Sequence, residues 1–141
     1  RISLSDSEGE DSYSMLKSMS IPSNNTEERT STIHHSINGS FAIRKGDYKL
    51  ILCPDSGGWS FPRPNNKKAL EGLPKVQLYD LKNDPGELYN IANDNEKLVA
   101  DLTADLNEII ENGRSTIGTK QLNDTGNHWK ELWWKEKTIN N

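Results

Sequence analysis

Residues 76–113 read VQLYDLKNDPGELYNIANDNEKLVADLTADLNEIIENG, and two periodicities meet in them. Val76 to Leu81 is a β-rich run, Asn83-Asp84-Pro85-Gly86 is a turn, and apolar residues recur at helical spacing from about Asp94 to Asn112. Leu98, Leu102, Leu106, Ile109 and Ile110 fall on one face of that helix. Asn93 with Glu96 offers a capping box at its start, and Gly113 suits a left-handed stop at its end. A stripe of this kind needs a sheet to cover, so the stretch predicts a two-layer α+β domain.

The other strands lie upstream. Ile33 to Ile37 is a short β-like run, Asn38-Gly39 is a turn, and Phe41 to Arg44 is a second run. Lys45-Gly46-Asp47 is another turn, and Tyr48 to Cys53 is the third run. Phe41 alternates with Ile43, and Tyr48 with Leu50 and Leu52, so each set should line one face of the sheet. The expected fold is therefore a four-stranded antiparallel sheet with one long helix packed across it, occupying residues 32–113. Before it, residues 1–31 are a polar connection in which Tyr13, Met15, Leu16 and Met19 mark a short helix, capped by Asp11 or Ser12. Between the third and fourth strands, residues 54–75 hold Pro54, Pro62, Pro64, Pro74, Gly57-Gly58, Trp59 and Phe61. A loop of that length in a compact domain is often functional. Residues 114–141 form an extension in which Trp129, Leu132 and Trp133 indicate one or two further helical turns.

Composition narrows the function. Apolar residues make up 32% of the 141-residue chain, charged residues 27%, and the mean hydropathy is −0.84. That supports one modest core. A net charge of −4 gives no basic footprint for nucleic acid, and no apolar run approaches the ~20 residues of a membrane span. Cys53 is the only cysteine, so no intrachain disulfide can form. The chain begins at Arg1 with no charged-then-apolar leader, which points to a fragment or a processed product.

No complete catalytic constellation is visible. His34 and His35 are neighbours on a strand and point to opposite faces, so they cannot share a metal. No zinc-spaced His/Cys cluster, phosphate-cradling glycine loop or G-x-S-x-G is present. Asp101, Asp105 and Glu108 read as the wet face of the helix. Three N-x-S/T sequons occur, at Asn24, Asn38 and Asn123, and matter only in a eukaryotic secretory protein.

The string Val76-Gln77-Leu78-Tyr79-Asp80-Leu81, then Asp84-Pro85-Gly86-Glu87, then Asn90-Ile91-Ala92, closely resembles the strand-turn signature near the C-terminus of sulfatases. Ile91 stands where that family has Leu. Phe41-Ala42-Ile43-Arg44 with Gly46-Asp47-Tyr48-Lys49-Leu50-Ile51 resembles the family's hairpin, and Glu10-Asp11-Ser12-Tyr13 its helix start beyond the catalytic lobe. Gly113-Arg114-Ser115-Thr116 with Asn123-Asp124 is similar to the tail of arylsulfatase-A-like members. The likeness covers most of residues 9–134. In physical terms the signature is punctuation: Asp80 closes a strand, Pro85 fixes φ, Gly86 frees the backbone, and Glu87 and Asn90 can bond the loop's own amides.

The resemblance implies the C-terminal subdomain of a formylglycine-dependent sulfatase with an alkaline-phosphatase-like parent fold. The parent's N-terminal catalytic lobe would supply formylglycine and Ca²⁺, and would be this piece's first partner. Neither cofactor belongs to this stretch. Cys53 is followed by Pro54-Asp55, Ser20-Ile21-Pro22-Ser23-Asn24 has Asn in the Arg position, and Ser60-Phe61-Pro62-Arg63 has its Arg one residue early. Alone, the chain is expected to hydrolyse nothing. A sulfated carbohydrate or aryl sulfate is the implied substrate, and a periplasmic or extracellular location the implied setting. Candidate substrate contacts are His34, His35, Trp59 and Arg63: a histidine can donate to a hydroxyl or sulfate oxygen, an indole can stack on a sugar, and a guanidinium fork can take an anion. Ordinary packing is the other reading of each. Trp129, Trp133 and Trp134 are expected to dock residues 114–141 on the catalytic lobe. A stand-alone carbohydrate-binding or protein-interaction module is the alternative use of the same sheet.

Overall fold

Four strands, Ser31–His35 (β1), Phe41–Lys45 (β2), Tyr48–Ile51 (β3) and Gln77–Asp80 (β4), form one sheet in the order β1-β2-β3-β4. All three pairings are antiparallel. The structure, a computed structural model, describes residues 4–15, 19, 29–124 and 129–136. Most of the short helix expected near Tyr13–Met19, the connection after Ser20, Asn24 and His128 lie outside the described residues.

Register explains the core. Ile33 pairs Ile43, Ile43 pairs Leu50, and Leu50 pairs Leu78, which lays an apolar row across all four strands. The helix Glu96–Asn112 (α2) covers that row with Leu102, Leu106 and Ile110. Ile43, Leu50, Leu78 and Leu106 are fully buried, each contributing about 1.5–3 kcal/mol relative to exposure. At the helix end Gly113 adopts φ 63, and a Cβ there would lie 2.4 Å from the Gln121 carbonyl oxygen. Only glycine meets both demands.

The helix start departs from the expected capping box. Ala92–Asp94 forms a 3₁₀ turn, the N-cap is Asn95, and no side chain caps α2. Asn95 instead donates from its amide to Ile91 O at 2.9 Å. The signature turn also divides its labour differently. Asn90 Oδ1 accepts from Leu78 N and Ala92 N, as expected, and Asn90 Nδ2 donates to Val76 O. The positive φ falls on Glu87 (54°) rather than Gly86, and Glu87 pairs with Lys49 at 2.7 Å instead of bonding the loop's amides. That amide task falls to Asp84, which accepts from Tyr89 N at 2.9 Å.

Two further elements complete the fold. Lys67–Leu70 (α1) is a single turn inside the long loop, capped by Asn66, which the sequence reading treats as irregular. After α2, a 3₁₀ turn at Lys130–Leu132 leads into Trp133–Glu136 (α3), as the tryptophan spacing predicts. The docking reading of the tryptophans needs correction, because they do not stand out as an exposed aromatic patch. Trp129 stacks on Phe41 at 6.2 Å and Trp134 meets Phe41 edge-on at 5.7 Å. The Trp133 indole donates to Leu52 O at 3.0 Å, and that of Trp134 to Asn107 Oδ1 at 2.9 Å. An indole satisfied inside its own domain has little left for a partner.

Candidate functional site

The two histidines end β1, and the alternation of the strand decides where each goes. His35 shares the helix-side face with Ile33 and lies opposite Phe41; His34 lies opposite Ala42 on the other face. Both are exposed. The His35 ring sits edge-on to Phe41 at 3.9 Å. Desolvation by that packing holds its pKa below the usual imidazole value, and the nearby Glu131 carboxylate opposes the shift. The imidazole is therefore neutral at pH 7 and works as a hydrogen-bonding group rather than a charge.

The long loop is brought to the same end of the sheet by a chain of short-range bonds. Asp55, 9% exposed, accepts Gly57 N at 2.6 Å, and Gln77 Nε2 donates to Cys53 O at 2.6 Å. Asn38 N then donates to Gly57 O at 3.2 Å, which fastens the loop to the β1–β2 turn. Gly57 has φ 69, and a Cβ on it would come within 2.4 Å of the Ser36 Cβ, so the approach requires glycine. Beyond it, Ser56 N donates to Pro62 O at 3.0 Å and Arg63 Nε to Trp59 O at 3.2 Å. Trp59 and Arg63 thus share one closed turn. Trp59 is 78% exposed and Phe61 79%, so neither ring is spent on the core.

Structure therefore gathers the four sequence-derived residues at one end of the sheet and splits the histidines between its faces. It also rules out Cys53 as a nucleophile: the thiol is buried, donates to Asp55 O, and burial pushes its pKa up. Among the described residues no three His, Cys, Asp or Glu side chains are grouped to hold a metal ion, and no helix is long and apolar enough to cross a membrane.

A second concavity was not legible in the sequence. On the helix side of β1 lies a cleft of about 390 Å³, lined by His35, Phe41, Trp129, Asp11, Arg29 and Arg114 among others. Its floor is organised by Arg114, only 7% exposed. The Arg114 guanidinium donates to Asp6 O, Asp6 Oδ1 and Thr119 O, each at 3.0 Å, and to Thr116 Oγ1. Thr119 N donates to Asp6 Oδ2 at 2.7 Å, Ser115 N to Asp11 Oδ1 at 2.8 Å, and the Thr116 hydroxyl to Glu10 O. These bonds sew residues 6–11 to residues 114–119. No local pattern announces such a seam, because its two sides are about a hundred residues apart.

A family model described as the C-terminal region of aryl-sulfatase matches residues 27–138. A comparison with curated proteins finds no match. Among solved structures, the chain is similar to a Bacteroides thetaiotaomicron sulfatase chain described with that organism's metabolism of multiple glycosaminoglycans. Identity is 30% over 57% of this chain, the TM-score is 0.44, and this chain spans 16% of that one's length.

Proposed function

The chain belongs to the family of aryl-sulfatase C-terminal regions, and from that premise we propose that it serves as the non-catalytic end of a sulfuric ester hydrolase, completing the fold and shaping the rim of the substrate pocket. Formylglycine and Ca²⁺ would come from a catalytic N-terminal part, with the metal neutralising sulfate oxygens during ester hydrolysis. The observation that carries the reading is the convergence of β1's end, the β1–β2 turn and the Trp59 loop, fixed by Asn38 N bonding Gly57 O. Rigidly held loops at the end of a sheet are where a scaffold presents binding groups. Trp59 offers an unspent indole for a sugar face, Arg63 a guanidinium for an anion, and one histidine a hydrogen bond to the leaving group.

The test is kinetic and uses a full-length enzyme that includes this chain. Alanine at His34, His35 or Trp59 is expected to raise KM on the sulfated substrate by roughly 5- to 100-fold, the equivalent of about 1–3 kcal/mol. The effect on kcat should be smaller, as for binding shared by ground and transition states. Melting temperatures should stay unchanged. Unaltered kinetics in all three variants, or losses that track unfolding, would return these residues to packing roles.

A further inference from the structure

The cleft beside β1 is separate from the Trp59 loop, and of the sequence-derived residues only His35 enters it. Its polar groups differ in how far they are satisfied. Arg114 is neutralised by Asp6. Arg29 is not: its guanidinium lies 4.9 Å over the Tyr13 ring and donates once, to Asp11 O at 3.1 Å, and it joins no ion pair among the described residues. Asp11 uses Oδ1 on Ser115 N and keeps Oδ2. His35 touches Phe41 but spends neither ring nitrogen on a described neighbour. Phe41, Trp129 and Ile110 supply apolar walls around these groups.

We propose that this cleft binds a pyranose bearing an anionic group, a sulfate or carboxylate, with Arg29 holding the anion and Asp11 and His35 holding ring hydroxyls. A guanidinium with open donors matches the planar or tripodal oxygens of such anions. The apolar walls suit the C–H faces of a sugar ring, and a carboxylate oxygen beside them needs a hydroxyl donor, which a bare aryl ring lacks. The volume falls within the roughly 300–1,000 Å³ usual for small-ligand sites. As a statement of binding this stands apart from the sulfatase reading. Joined to that reading, it specifies a substrate carrying an anion in addition to the scissile sulfate.

Titration of the 141-residue chain by calorimetry and by backbone-amide NMR tests it, with glucose 6-sulfate as probe. The expected result is saturable binding that moves the amides of Phe41, Ser115 and Trp129. Glucose should bind at least about tenfold more weakly, as should glucose 6-sulfate to Arg29→Gln, since a charge-assisted contact is lost in each. His35→Ala should weaken binding several-fold while the amide spectrum elsewhere stays unchanged. Absence of saturation, or undiminished affinity in Arg29→Gln, overturns the site. Inorganic sulfate binding as tightly as the sugar reduces it to an adventitious ion only, and phenyl sulfate binding as tightly removes the pyranose. Failure of the full-length kinetics leaves these outcomes untouched, and failure here leaves that kinetic test untouched.

Discussion

The sheet–helix interface and the seam around Arg114 hold the same molecule together by opposite means. Beneath α2, Ile43, Leu50, Leu78 and Leu106 are sealed from water with no polar group among them. At the seam one guanidinium, 7% exposed, is surrounded by acceptors: two from Asp6, one from Thr116 and one from Thr119. Apolar burial is non-directional and stabilises in proportion to area. A buried cation stabilises nothing until every donor is matched, because the net gain per bond is modest and the loss on leaving one unmatched is larger. Even the backbone conforms to the guanidinium: a Cβ on Gly118 would come within 2.2 Å of Arg114 Nη1. The first region tolerates substitution by similar shapes; the second tolerates almost none.

The contrast can be broken most directly at Leu106. Truncation to alanine is expected to cost about 2–5 kcal/mol, through lost burial and the cavity left behind. Chemical denaturation should show an earlier midpoint with an unchanged slope. Next in size is Arg114→Met, which keeps the bulk but strips the seam of its donors. We expect about 1.5–3 kcal/mol, the range for hydrogen bonds to a charged group. Hydrogen exchange should open residues 114–119 while the amides of α2 stay protected. If the whole domain loosened together, core and seam would be one cooperative unit and the comparison would fail.

The smallest effect is a matter of acidity. Asp6 is held below its ordinary value of 3.8 chiefly by its bonds to Thr119, assisted by Arg114. A carboxyl whose folded pKa is lowered contributes stability that is present above its unfolded pKa and is lost as pH falls through the folded one. The seam should therefore weaken only below about pH 4, ahead of the apolar core. Asp6→Asn should abolish that acid step in residues 114–119 and leave the acid response of α2 as it was.

Much of the fold was legible because local pattern and tertiary demand agree. Period-two alternation in Phe41–Ile43 and Tyr48–Leu52, the 3.6 period of Leu98–Ile110, and glycine at position 113 each have a single structural solution. The reading slipped where two side chains compete for one task. Asn93 and Asn95 both look like caps, and the 3₁₀ turn chooses Asn95 and then uses its amide on Ile91 O. Gly86 looks like the flexible turn residue, yet the pairing of Glu87 with Lys49 accompanies the positive φ at Glu87. For the site, the Trp59 loop and the histidines could be nominated by residue type. Asp11, Arg29 and Trp129 could not, since only the closed fold brings them beside His35.

The wiring of the sheet carries a kinetic consequence. Each strand pairs with its neighbour in sequence, so every hairpin closes over a short span of chain. The Arg114–Asp6 bond joins positions 108 residues apart. Closing so long a span forfeits more chain entropy than closing a hairpin, and proteins rich in short-range contacts form those contacts quickly. The seam is thus the natural last event of folding, made after the transition state. Disrupting it should leave the folding rate nearly intact and quicken unfolding, making Arg114 a determinant of how long the native state lasts rather than how fast it is reached.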